Sequence, residues 1–162
     1  MSRRFLLIDD EPLALTRLER LILKCEPTAK CVSAPNAYIG LERLAEWPWA
    51  AVFLDVEMPG LTGLEMLKRV PLVTPLPPIV FCTAYARYAV QAFEAAALDY
   101  LVKPSDEDRV RMVLGRTART AIARERLGEL EQKLATPDTR IAAVGHIAAR
   151  IGNRITSIPF AE

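Results

Sequence analysis

Three carboxylates, a threonine and a lysine each stand directly after a short apolar run. Asp9 and Asp10 follow Phe5 to Ile8, and Asp55 follows Ala51 to Leu54 just before Pro59-Gly60 breaks the chain. Thr83 and Ala84 follow Ile79 to Cys82, and Lys103-Pro104 follows Leu98 to Val102. In an open α/β sheet, ligand chemistry sits outside the carboxyl ends of the strands. Converging carboxylates repel one another unless a cation sits among them. An all-oxygen site that keeps several waters and meets a phosphate suits Mg²⁺. A carboxylate can itself attack phosphorus and give an acyl phosphate. Asp55 is central and stands at the tight Met58-Pro59-Gly60 turn, which makes it the best nucleophile. The backbone carbonyl of Glu57 could complete a metal shell, while the Thr83 hydroxyl and Lys103 ammonium suit phosphate oxygens. Taken singly, an acidic pair also reads as a helix cap and a Lys-Pro as a loop. Their succession at strand ends is what carries the argument. A cis Lys103-Pro104 bond would aim the lysine inward, and X-Pro bonds permit it.

The elements that must position these residues follow from periodicity. After the first apolar run, Pro12 suits the first turn of a helix, with Leu13, Leu15, Leu18, Leu21 and Ile22 at helical spacing. Ala29 to Ala34 reads as a second strand. Asn36 suits the cap of a helix to about Ala45 with Ile39, Leu41 and Leu44 inward, and Trp47-Pro48-Trp49 marks a turn. A third helix is expected over 61–70, and the four prolines of 71–78 make an irregular connection. Tyr88, Ala89, Ala92 and Phe93 form the stripe of a fourth helix before the fifth strand. Strand and helix thus alternate five times in about 120 residues, which implies a parallel sheet with right-handed crossovers. The fold class is α/β, a flavodoxin-like (βα)5 sheet in the order 2-1-3-4-5. That order brings the five side chains to one edge.

From Ser105 a long C-terminal helix is expected, opened by a variant capping box of Ser105 and Asp108. Val110, Val113, Leu114, Ala118, Ala121 and Ile122 would face the core. Beyond them Leu127, Leu130 and Leu134 form a narrow seam among charges, read either as a solvated linker or as a short coiled-coil contact. Thr136-Pro137-Asp138 ends the helix. Residues 147–151 and 154–158 then read as a β-hairpin tail around Gly152-Asn153. An isolated hairpin is marginal in water, so it packs on something or begins a second domain.

Totals narrow the function classes. The chain has 162 residues, 51% hydrophobic and 25% charged, with a formal net charge of +1. That balance gives no global electrostatic case for nucleic acid or membrane binding. Cys25, Cys31 and Cys82 lack metal-ligand spacing and read as reduced core thiols of a cytoplasmic protein. No apolar run approaches the ~20 residues of a membrane span, and no signal peptide is visible. His146, the one histidine, lies in the tail and is not expected to be catalytic.

Ile8-Asp9-Asp10-Glu11, Leu54 to Gly60, Phe81 to Ala84 and Asp99 to Pro104 together resemble the response-regulator receiver domain of two-component systems. The resemblance covers about residues 3 to 122. It implies Asp55 as phosphoacceptor and Asp9, Asp10, Asp55 and the Glu57 carbonyl as Mg²⁺ ligands. It also implies Thr83, Ala84 and Lys103 at the phosphate, with Thr83 and Tyr100 as the switch. Asp10 to Ala14, Thr83 to Tyr85 and Ala97 to Leu101 are similar to the LytR/AlgR group, whose members carry a LytTR DNA-binding domain. The expected organisation is a receiver over 1–122, a helical linker over 123–139, and over 140–162 a stub resembling the start of that domain. Ser105 departs from the Phe that many receivers place there.

The resemblance implies a regulator rather than an enzyme. It would be phosphorylated by a sensor histidine kinase, would switch the surface of its fourth helix, fifth strand and fifth helix, and would form a homodimer. DNA would be reached only through the effector. The alternative is a stand-alone phosphorylation-dependent interaction module. A phosphatase with an aspartyl intermediate would want a general acid just after Asp55; Glu57 stands there, but its family counterpart contributes backbone only.

Overall fold

The computed structural model describes residues 2–46, 48–71, 75–88, 96–134, 146–151 and 154–159. Five strands, β1 (Arg4–Ile8), β2 (Lys30–Ala34), β3 (Ala51–Leu54), β4 (Ile79–Thr83) and β5 (Asp99–Val102), form one parallel sheet. Their order is β2-β1-β3-β4-β5, the flavodoxin-like order expected of the alternating pattern. Three further helices, α1 (Pro12–Cys25), α2 (Ala37–Leu44) and α3 (Gly63–Lys68), lie between the early strands. A single 3-10 turn spans Ala86–Tyr88, and α4 runs from Glu107 to Leu134. The expected fourth helix falls on 89–95 and so lies outside the described residues, apart from Tyr88 at its start.

Side chains of one strand alternate between sheet faces, and the core divides accordingly. Leu6, Ile8, Val52, Leu54 and Phe81 pack with residues of α2 and α3. Phe5, Leu7, Phe53, Val80, Cys82 and Leu101 pack on the other face against Ile22 of α1 and Val110, Val113 and Leu114 of α4. The Phe5 and Phe53 rings meet edge-on with centroids 6.0 Å apart. A sheet covered on both faces explains why its central strands read as unbroken apolar runs.

Helix starts follow local chemistry. Pro12 opens α1 at a position where no backbone donor is needed. Asn36 Oδ1 accepts from the Ile39 N–H at 2.9 Å. Thr62 and Glu65 form a reciprocal capping box that fixes α3, which is shorter than the 61–70 expected. The expected cap of α4 is corrected: Asp106, not Ser105, accepts from the Arg109 N–H at 2.8 Å, while the Ser105 hydroxyl donates to the Val102 carbonyl. Both residue types cap helices, and the Lys103–Pro104 bond just before them is cis.

Core contact along α4 ends sooner than its apolar residues suggest. Val110, Val113, Leu114 and Thr117 are buried, Ala118 is half-buried, and Ala121 and Ile122 are exposed. Arg3 pins this buried half, donating to the Leu114 carbonyl and, at 2.9 Å, to Thr117 Oγ1. In the tail, β6 (His146–Ile151) pairs antiparallel with β7 (Arg154–Pro159), with Ile151 opposite Arg154. The Gly152-Asn153 turn between them lies outside the described residues.

Candidate functional site

The rungs of the sheet run directly into the site. Ile8 is in register with both Ala34 and Leu54, and Thr83 with Val102. Beyond those pairs the Asp9 N–H donates to the Ala34 carbonyl at 3.2 Å and the Asp55 N–H to the Ile8 carbonyl at 2.9 Å. The Lys103 N–H donates to the Thr83 carbonyl at 2.8 Å. Each residue is therefore the first past the end of its strand, held by a last ladder bond.

The β3–α3 connection is tight because α3 begins against the sheet. A Cβ on Gly63 would lie 2.1 Å from the Asp55 carbonyl oxygen. Gly63 donates its N–H to the Val56 carbonyl at 2.9 Å, and Gly60 supplies the turn with a φ of 82°. Only glycine tolerates either position without a shift of the chain.

Lys103 Nζ lies 2.5 Å from Asp9 Oδ2, 3.2 Å from Asp55 Oδ2 and 4.0 Å from Glu11 Oε1. One ammonium therefore faces three carboxylates. Asp9 and Asp55 are buried and Glu11 is exposed. Burial pushes the Asp55 carboxyl up to about 6, helped by the Asp9 charge and opposed by Lys103. For Lys103, burial pulls the ammonium down, but its bond to Asp9 and the Asp55 charge outweigh this and hold it above its ordinary value. The excess of negative charge is what a divalent cation would relieve. Oxygens of Asp9, Glu11 and Asp55 lie within 4.8 Å of one another, a donor set of hard carboxylates suited to Mg²⁺.

Other expected site residues are placed differently. Asp10 is exposed and is not among these three carboxylates. Glu57 donates its backbone N–H to Asp55 Oδ1 at 3.3 Å, while its side chain pairs with Arg87 at 3.0 Å. Thr83 is 1% exposed, and its Oγ1 accepts from the Tyr85 N–H at 3.4 Å. Ala84 is exposed. The Tyr100 hydroxyl donates to the Tyr85 carbonyl, so the amide and carbonyl of Tyr85 join Thr83 to Tyr100. Arg87 also lies over the Tyr85 ring, 4.4 Å from its centroid. Beside the acids, a groove of about 360 Å³ is lined by Leu13, Arg17, Ala84, Lys103 and Pro104 among others.

Some participants were not apparent from the sequence. Glu11 joins the acids because the turn after β1 folds back, its N–H held by Asp9 Oδ1 at 2.9 Å. Asp9 thus fills the local turn role and the site role together. Asp99, at the start of β5, is clamped by Arg109 at 2.6 Å and Arg116 at 2.7 Å. The signal available was the seven-residue spacing of those arginines, which puts them on one face of a helix.

The model of the response regulator receiver domain matches residues 5–114. The chain belongs to the response regulator receiver family. Receiver domains are regulatory parts of two-component systems and work with sensor histidine kinases. An uncharacterized response regulatory protein of Vibrio vulnificus is 40% identical over 145 residues, covering 87% of this chain and 58% of that protein. The sensory transduction protein LytT of Bacillus subtilis is 38% identical over 111 residues, 68% of this chain and 46% of that protein. The chain thus spans about half the length of the curated relatives it matches. Among solved structures, the response regulator TrrA of Thermotoga maritima, in complex with Mg²⁺ and BeF, superimposes with a TM-score of 0.64. It is 27% identical, and the match covers 72% of this chain and 99% of the TrrA chain. Among the described residues no helix is long and apolar enough to cross a membrane.

Proposed function

We propose that this receiver accepts a phosphoryl group on Asp55 from a phosphohistidine of a sensor kinase. The observation that carries the reading is the buried Asp55 carboxylate sharing one ammonium, that of Lys103, with Asp9 at the end of the central strands. An Asp55 oxygen attacks phosphorus, the P–N bond to a donor imidazole protonated on its other nitrogen breaks with its electron pair passing to that ring, and an aspartyl phosphate and neutral histidine result. Asp9, Asp55 and the Glu57 carbonyl would hold Mg²⁺, with Asp10 or Glu11 as the further acid. The metal neutralises charge on the transferring oxygens when bound. Lys103, freed from its pairing with Asp55, neutralises a phosphate oxygen, and the small exposed Ala84 leaves room for the donor.

The new charge reaches the surface through Thr83. Its hydroxyl gives up the Tyr85 N–H and donates to a phosphate oxygen, which alters the backbone at Tyr85, whose carbonyl holds Tyr100. Two arrangements of the Thr83–Tyr85–Tyr100 chain then differ in population with and without phosphate. The face bearing β5 and α4 changes with them and favours a homodimer. Likeness to LytT supports a place in the LytR/AlgR group, in which residues 140–162 begin a LytTR effector and the output is transcription. The domain limits proposed are a receiver over 1–122, a linker over 123–139 and the effector stub beyond. A stand-alone interaction module in the cytoplasm shares the same chemistry and differs only in its output.

Intact mass of the chain with Mg²⁺ and a small phosphodonor tests the reading. A single phosphoryl adduct that Asp55→Asn abolishes is expected. An undiminished adduct in Asp55→Asn, or none in the wild type, would overturn it.

A further inference from the structure

Among the described side chains, none in the second half of α4 is buried. Residues 121–127 are all exposed, and the helix continues to Leu134. Leu127 and Leu130 are 56% and 55% exposed on this free stretch. An isolated helix of about a dozen residues is marginal in water. Gly128, with open space around its α-carbon, weakens it further. Something must therefore cover the leucines for the helix to persist.

The sequence of that stretch says what covers them. With Leu127 at heptad position a and Leu130 at d, Thr120 and Ala123 take the preceding a and d, and the seam stays narrow. Ile122 falls outside it, at c. Position g is Arg126 and the next e is Glu131. In a parallel pair of identical helices, g of one chain meets the following e of the other, so Arg126 and Glu131 face each other twice, flanking the leucine layers. The antiparallel arrangement keeps an attraction, Arg124 with Glu131, but sets the repulsion of Arg126 with Lys133 beside the same leucine layers. In the parallel arrangement the like-charged meeting, Arg119 with Arg124, falls one heptad toward the receiver, beside Thr120 and Ala123. We infer that the free half of α4 pairs in parallel with the same helix of a second copy, through Leu127 and Leu130 and the Arg126–Glu131 contacts. This surface is distinct from the phosphate-dependent face of β5 and the buried half of α4.

Sedimentation equilibrium of the whole chain, with and without beryllofluoride, tests it. The unmodified chain is expected to self-associate without beryllofluoride. Leu127→Lys with Leu130→Lys should weaken this by roughly a hundredfold, as charges replace apolar layers. Arg126→Glu and Glu131→Arg alone should each weaken it several-fold, to roughly tenfold, and the double exchange should restore it. All these side chains are exposed, and the thermal unfolding midpoint checks that each variant is folded. Stronger association of Arg126→Glu would mean antiparallel helices and overturn the inference. So would a chain that is monomeric throughout. Association that appears only with beryllofluoride and ignores the seam variants would also overturn it, while leaving the phosphate-dependent face intact.

Discussion

The acid cluster and the loop after β4 lie side by side but are built on opposite terms. Asp9, Asp55 and Lys103 each hang from the last rung of a buried strand, and their charges meet within 2.5–3.2 Å. The loop over 84–87 is exposed throughout. Its contacts include a hydrogen bond from the Tyr85 N–H to Thr83, another from Tyr100 to the Tyr85 carbonyl, and the Arg87–Glu57 pair. Ladder bonds and packing hold geometry against a change of charge, whereas single bonds in solvent exchange at small cost. The cluster suits chemistry that must not move, and the loop suits a report that must.

Substitutions can break that contrast, beginning with the cluster. Asp55→Asn should remove phosphoryl transfer entirely while the protein stays folded, as read by intact mass and far-ultraviolet circular dichroism. Gly63→Ala comes next: its methyl group would drive into the Asp55 carbonyl, so a loss of about 1–3 kcal/mol in denaturant unfolding is expected, with slower adduct formation. An unchanged midpoint there would mean that the β3–α3 turn is softer than its packing implies.

A pH series on metal-free protein isolates the charge of the cluster. Because burial raises the Asp55 pKa in the folded state, its ionised form destabilises the fold at pH above about 6, and the cost fades as pH falls from about 6 toward about 4. The two-unit rise corresponds to at most about 3 kcal/mol. Asp55→Asn should therefore be more stable than the wild type at pH 7 without metal, and the gap should close on acidification. A gap that widened in acid would contradict the assignment.

The loop should respond differently. Thr83→Ala and Tyr100→Phe should keep the adduct but separate it from any beryllofluoride-dependent change in association. Arg87→Ala should have the smallest effect on stability, below about 1 kcal/mol, since both partners of its ion pair are exposed. A large loss of adduct in Tyr100→Phe would mean that the two regions are not separable.

The cluster was also the more legible region. Apolar runs and helical spacing announce the sheet and its order, and residues that follow strand ends are brought together by topology alone. Asp9, Asp55 and Lys103 meet for that reason. Turn geometry is less visible: whether Asp10 or Glu11 turns toward Asp55 depends on the dihedrals of three residues. The same holds where Asp106 caps α4 instead of Ser105, one residue away. Asp99 reads as an ordinary strand-edge acid until the helix that carries Arg109 and Arg116 packs across it. The Arg87–Glu57 pair joins residues 30 apart in the chain and has no local signature.

The most direct test of the central claim is to locate the phosphoryl group. Phosphorylating the chain with Mg²⁺ present, reducing the acyl phosphate with borohydride and sequencing the peptides by mass spectrometry reads the site, because reduction turns aspartyl phosphate into homoserine. The account predicts homoserine at position 55 alone. Homoserine at Asp9 or Asp10 instead, or a phosphoryl group that resists borohydride, would contradict it.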